Sequence, residues 1–188
     1  MAKDVTEQYH RYALHPRDLR SIDDLEWICS EYSRRQVTIF DLRIEASGRV
    51  VRALFVAYSD GTYGIFRLAD LGERERRFVT CKELFHVILD QEPCRNMDLW
   101  GHLEETHISF STEDSSPSVA ARTEGLAEVG AMEFLFPYEK RVEELANNGG
   151  GGDAAFFAAL AAKYGVPQIQ IEEYLSDSYM TAFGGMTW

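Results

Sequence analysis

The stretch Phe78-Val79-Thr80-Cys81-Lys82-Glu83-Leu84-Phe85-His86-Val87-Ile88-Leu89-Asp90 decides how the rest of the chain is read. Phe78, Cys81, Leu84, Phe85 and Ile88 recur at steps of three and four, the period of a helix with one apolar side. Residues four apart share a helix face, so Lys82 and His86 lie one turn apart on a neighbouring face with Glu83 beside them. The charged, helix-favouring run Glu73-Arg74-Glu75-Arg76-Arg77 leads into this helix. Cys81 sits with Phe78 and Phe85, which reads as a small buried hydrophobe; its adjacency to Lys82 leaves a metal-ligating thiolate as the other reading.

Working outward, Ser21 is placed to cap a helix, with Asp24 three residues on and Ile22, Leu25, Ile28, Cys29 and Tyr32 as its buried stripe. From Val37 the period changes to two: Phe40, Leu42 and Ile44 face one way and Asp41 and Arg43 the other. Ser47-Gly48 reads as a turn, Val50 to Tyr58 as a second strand, Ser59-Asp60-Gly61-Thr62 as a hairpin turn and Tyr63 to Arg67 as the returning strand. The expectation is a three-stranded antiparallel meander. Beyond the central helix, Gln91 to about Val119 has no period and contains Pro93 and Pro117; loops of that length in a compact domain are usually functional or disordered. A further helix is expected from about Ala120 to Phe136, stopped by Pro137, with Glu124, Ala127, Glu128 and Ala131 on one face that small residues open to a close neighbour. Gly149 to Gly152 read as a joint. No Gly-Lys-Ser/Thr follows them, as a phosphate loop would require. Asp153 caps an alanine-rich helix ending at Gly165, and Pro167 opens a last short helix through Ile171, Tyr174 and Leu175.

At 188 residues and 45% hydrophobic content the chain has the material for one sizeable core, so a single domain is expected over 1–188. It divides into an arm (1–20), a body (21–148), the glycine linker (149–152) and C-terminal helices with a tail (153–188). Nineteen basic against 31 acidic residues, a formal charge of −12, disfavour broad binding to nucleic acid or anionic membrane. Glu172, Glu173 and Asp177 likewise suit the last helices poorly to DNA phosphates. Three cysteines without Cys-x-x-Cys spacing, a polar N-terminus and no long apolar run lead to the expectation of a soluble, cytoplasmic protein. The aromatic tail from Tyr179 to Trp188 either docks on its own domain or marks an interface.

Lys82-Glu83-Leu84-Phe85-His86 is similar to the H-E-x-x-H zinc helix of metallopeptidases, with lysine in place of the first histidine. Arg76 to Leu89 resembles R-R-F-T-L-A-H-E-L-G-H-V-L-L, and Glu124 to Pro137 resembles E-x-x-A-N-x-F-A-A-E-L-L-M-P, two helices of the ImmA/IrrE family of zinc-dependent metallopeptidase-like domains. The tail through Tyr164-Gly165-Val166-Pro167 matches more weakly, and the resemblance spans about Val37 to Leu175. It implies an α+β, zincin-like fold: helices packed on a small three-stranded antiparallel sheet, with a C-terminal helical hairpin. It also implies Glu83 as general base, His86 as a zinc ligand and Glu124 as the third protein ligand. Lys82 departs from the pattern, since an ammonium has no lone pair and is repelled by Zn²⁺. Glu128 and Gly130 stand where the family has asparagine and phenylalanine.

Two functions follow as expectations. In the first, Lys82 takes the metal's place in the cleft by pairing with Glu83 or Glu124, and Glu128 helps to neutralise it. The domain is then a non-catalytic binder of a protein or peptide partner and needs no cofactor. The family's habit of acting on phage-type or stress-response repressors implies a regulatory partner, such as a transcriptional regulator. In the second, an active zinc peptidase uses Glu83 as base and His86 and Glu124 as ligands, with His102 or His107 from the loop completing the set. As plain loop residues, those two histidines would make surface hydrogen bonds.

Overall fold

The computed structural model describes residues 2–12, 19–43, 51–90 and 119–184. Eight helices and three strands lie within them: α1 (Ala2–Tyr12), α2 (Ile22–Ser33), β1 (Val37–Leu42), β2 (Ala53–Ala57), β3 (Tyr63–Leu68), α3 (Glu73–Leu89), α4 (Val119–Leu135), α5 (Tyr138–Asn147), α6 (Ala154–Tyr164), α7 (Gln168–Tyr174) and α8 (Asp177–Gly184). The class is mixed α and β. None of the described helices is long and apolar enough to cross a membrane.

Capping chemistry sets several boundaries where the residue types predict them. Ser21 Oγ accepts the Asp24 N–H and opens α2, and Asp153 Oδ1 accepts the Phe156 N–H at 2.8 Å and opens α6. Gly165 ends α6 at φ +62°, and a Cβ there would meet Leu19 and the Arg77 side chain at 3.0 Å, so both the backbone and the space call for glycine. Pro167 then opens α7 as expected, but α7 is not the last helix: α8 follows it directly. The N-terminal arm carries α1, whose Val5 and Tyr9 are buried in the common core.

The sheet corrects the expected antiparallel meander. Its order is β1-β3-β2, with β1 parallel to β3 and β2 antiparallel to it, so the sheet is mixed. The β2–β3 hairpin forms as read, and Asp60 closes its turn by accepting from the Thr62 N–H at 2.9 Å. Chain order fails at β1. Leu42 pairs with Leu68 and Ala53 with Arg67, so β1 ends and β2 begins at the same end of β3, on opposite sides of it. Burial explains why β3 takes the middle: Tyr63, Gly64 and Ile65 are all buried, whereas Phe40 and Asp41 on β1 are exposed. Phe40 and Leu42 do share a face, but it is the outer one, where Phe40 stacks on Phe66 with centroids 4.9 Å apart. The expected turn at Ser47-Gly48 and the strand residues Ile44 and Val50 lie outside the described residues.

Helix α3 is the axis of the molecule. Phe78, Val79, Thr80, Cys81, Glu83, Leu84, Phe85, His86 and Val87 are all buried, so it is covered on several sides rather than along one stripe. It packs against α2, α4, β2 and β3. Full burial of side chains such as Leu84 and Phe85 contributes about 1.5–3 kcal/mol each. Its first turn is tied down by Arg76, which donates to the Ala69 carbonyl at 2.8 Å, and by Arg77, which donates to the Arg20 carbonyl. At its far end the Tyr63 hydroxyl accepts from Arg35 at 2.8 Å and donates to Asp90 at 2.7 Å, joining β3, the segment that follows α2 and the end of α3. Cys29 and Cys81 are free buried thiols; burial pushes both upward in pKa, as suits small hydrophobes.

Behind the α3–α4 layer, Arg141 of α5 is fully buried. Its guanidinium pairs with Glu133 of α4 and lies over the rings of Tyr138 and Tyr174, at 5.5 and 5.6 Å. The other Glu133 oxygen accepts the Tyr138 N–H at 3.1 Å, at the first turn of α5. Burial brings the Arg141 pKa down to about 10.

Candidate cleft between the two motif helices

The faces of α3 and α4 meet through small residues. Ala127 and Ala131 are fully buried, and a Cβ at Gly130 would come within 2.5 Å of the Phe85 ring. That close approach sets Glu124, near the start of α4, against Lys82 and His86 of α3. Lys82 Nζ donates to Glu124 Oε1 and lies 3.4 Å from Glu83 Oε1. His86 Nε2 donates to the other Glu124 oxygen at 2.8 Å, because a carboxylate has no proton to give. Four of the residues marked in the sequence therefore converge. Glu128, one turn further along α4, joins them electrostatically and also faces Glu173 of α7. His102 and His107 lie outside the described residues.

Electrostatics holds Lys82 and Glu124 in their charged forms. Burial alone would lower the Lys82 pKa, but Glu83 and Glu124 outweigh it and hold the ammonium well above the ordinary lysine value. Burial would raise Glu124, yet the hydrogen bond from His86 and the charge of Lys82 bring it down to about 2. Glu128 goes the opposite way: burial and then Glu173 raise it. A carboxylate depressed in the folded state contributes stability above its unfolded pKa and loses it as pH falls through the folded one. The denaturant-midpoint gap between the wild type and Glu124→Gln should therefore be constant from neutral pH to about the ordinary value of 4.5, and should close as pH falls toward about 2. A gap that persists in acid would mean that Glu124 acts through packing alone.

Two contributors carried no signal in the sequence. Phe55 of β2 stacks on the His86 ring with centroids 5.3 Å apart and planes 7° apart, fixing the imidazole against the sheet. Glu173 of α7 acts electrostatically on Glu128, raising it. Both contacts join segments far apart in the chain, where neither period nor spacing speaks.

The donor set can be tested against the zinc that the family resemblance implies. A peptidase zinc needs three protein ligands with free lone pairs. Here Lys82 has none to offer, and His86 Nε2 spends its proton on Glu124. Among the described residues no three His, Cys, Asp or Glu side chains are grouped so as to hold a metal. These residues do not fit a peptidase zinc; His86 and Glu124 would need a further ligand. The arrangement can instead act as an ionic clasp between two helices, beside β2, whose Phe55 stacks on His86. Comparisons with protein-family models, curated proteins and solved structures find no match to this chain.

Proposed function

We propose that the chain is a degenerate metallopeptidase-like domain of the ImmA/IrrE, zincin-like type that binds a protein or peptide partner without cleaving it, in a regulatory role. One observation carries the reading: the Lys82 ammonium is clasped by Glu83 and Glu124 where the resembled helices would hold a metal, and His86 is engaged by the same Glu124. An internal cation of this kind neutralises the surviving carboxylates and keeps the two helices together when the chemistry is gone.

A size exchange supports the alignment beneath this reading. Where the family strings have glycine and phenylalanine, this chain has Phe85 and Gly130, and the Phe85 ring fills the space a side chain at 130 would need. Such a reciprocal swap keeps the volume between the helices, as tightly packed interiors require. The second reading, an active zinc peptidase with Glu83 as base and a ligand from outside the described residues, draws on the convergence of Glu83, His86 and Glu124. It must displace Lys82 from its carboxylates first.

Cleavage separates the two. Incubated with zinc and a complex mixture of intact proteins, the wild type and Glu83→Gln should give the same set of peptide termini by mass spectrometry. New termini made by the wild type and lost with Glu83→Gln would establish the peptidase instead.

A further inference from the structure

Asn148-Gly149 joins the end of α5 to the glycine run before α6, and every residue from Asn147 to Asp153 is exposed. Asparagine is chemically labile, because the main-chain nitrogen that follows it can attack its side-chain amide and close a five-membered ring. A side chain on the following residue obstructs that approach, and glycine has none. Among the asparagines of this chain, glycine follows Asn148 alone: Asn96 precedes Met97, and Asn147 precedes Asn148.

The fold holds the reacting groups apart, but lightly. Asn148 Nδ2 donates to the Gly151 carbonyl at 2.6 Å, and the Gly149 N–H donates to the Ala146 carbonyl at 3.3 Å. Hydrogen bonds exposed at the end of an element open at small cost. A Cβ at Gly149, Gly150 or Gly151 would meet nothing within 4 Å, so the main chain there can turn without displacing a packed group. Asp60-Gly61, the other pair open to this ring closure, is guarded by contrast. Asp60 Oδ1 accepts from the Thr62 N–H at 2.9 Å and from Thr62 Oγ1 at 2.7 Å; these bonds hold its carboxyl below the ordinary value, and a charged carboxylate resists attack.

We propose that Asn148 is a site of spontaneous deamidation, gated by opening of the joint between α5 and α6. Gly149 N gives its proton to hydroxide and bonds to Asn148 Cγ; the Cγ–Nδ2 bond breaks, and the nitrogen takes a proton from water and leaves as ammonia. Water then opens the succinimide at either carbonyl, leaving aspartate or isoaspartate at position 148. Water and hydroxide are the co-reactants. The product puts a new negative charge beside the last carbonyls of α5, the negative end of its dipole, in a chain already at −12. It also loses the Nδ2 donor to Gly151, so the modified joint is looser.

Incubation of the full chain at mildly alkaline pH tests this, with peptide mapping by mass spectrometry and chromatographic resolution of isoaspartate. Asn148 should be modified at least about tenfold faster than Asn147, whose successor carries a side chain. A synthetic peptide spanning Glu144 to Asp153 should react about tenfold faster than the folded chain, the weight of the one or two hydrogen bonds that must open first. Asn148→Gln should abolish the acidic species seen by ion exchange, and Asn147→Gln should leave it. That acidic species, once isolated, should unfold at a lower urea concentration than the unmodified chain. No modification, equal rates at the two asparagines, or an acidic species that persists in Asn148→Gln would overturn the site. Equal rates in the peptide and the folded chain would overturn the gate, and an unchanged urea midpoint would overturn the loosening of the joint.

Discussion

Arg141→Ala should lower the unfolding free energy by about 3–5 kcal/mol, because it leaves the Glu133 carboxylate buried without its cation. Domains of this size have only about 5–15 kcal/mol in total, so the variant would sit near the edge of folding. Three elements feel the loss: Glu133 belongs to α4, Arg141 and Tyr138 to α5, and Tyr174 to α7. Urea unfolding checks it as a fall in midpoint with an unchanged slope. The paired replacement Arg141→Met with Glu133→Leu should recover much of the loss, since an ion pair exchanged for apolar groups of similar volume is often near neutral. Recovery will be incomplete, because Glu133 also accepts the Tyr138 N–H. A single-variant loss under about 1 kcal/mol would mean that water reaches the pair.

Lys82→His should turn the clasp into a metal site. It places two imidazoles four residues apart on α3, with Glu124 already turned toward them from α4 and Glu83 beside the first. Binding to the folded state alone stabilises by about 4 kcal/mol at a free zinc concentration a thousand times the dissociation constant. Calorimetry with and without zinc should therefore show a clear rise in melting temperature for Lys82→His and none for the wild type. No rise in the variant would mean that α3 and α4 do not keep the metal geometry of the helices they resemble.

What was legible in the chain was local. The caps at Ser21 and Asp153, the stop at Gly165, the turn at Asp60-Gly61 and the apolar spacing of α3 each depend on residues within a turn or two of one another, and each appears where those residues place it. The small-residue face of α4 was also readable, because Ala127 and Ala131 have no other reason to recur at that spacing. Sheet order was not: a period of two reports which residues share a face, but says nothing of which strand lies in the middle. Phe55 against His86 and Glu133 with Arg141 are contacts between separate elements, and only the fold brings them together. Lys82, Glu83, His86 and Glu124 could be gathered in advance because the spacing of the two resembled helices linked them; their hydrogen bonds could not.

The most direct test of the account is the metal content of the purified wild type after zinc exposure and exhaustive dialysis, measured by elemental mass spectrometry beside Glu124→Ala. With Lys82 clasped by Glu83 and Glu124, the account predicts no zinc retained by either protein. About one zinc per chain in the wild type, lost in Glu124→Ala, would contradict it, because a zinc ion bound through Glu124 requires Lys82 to have left the cleft.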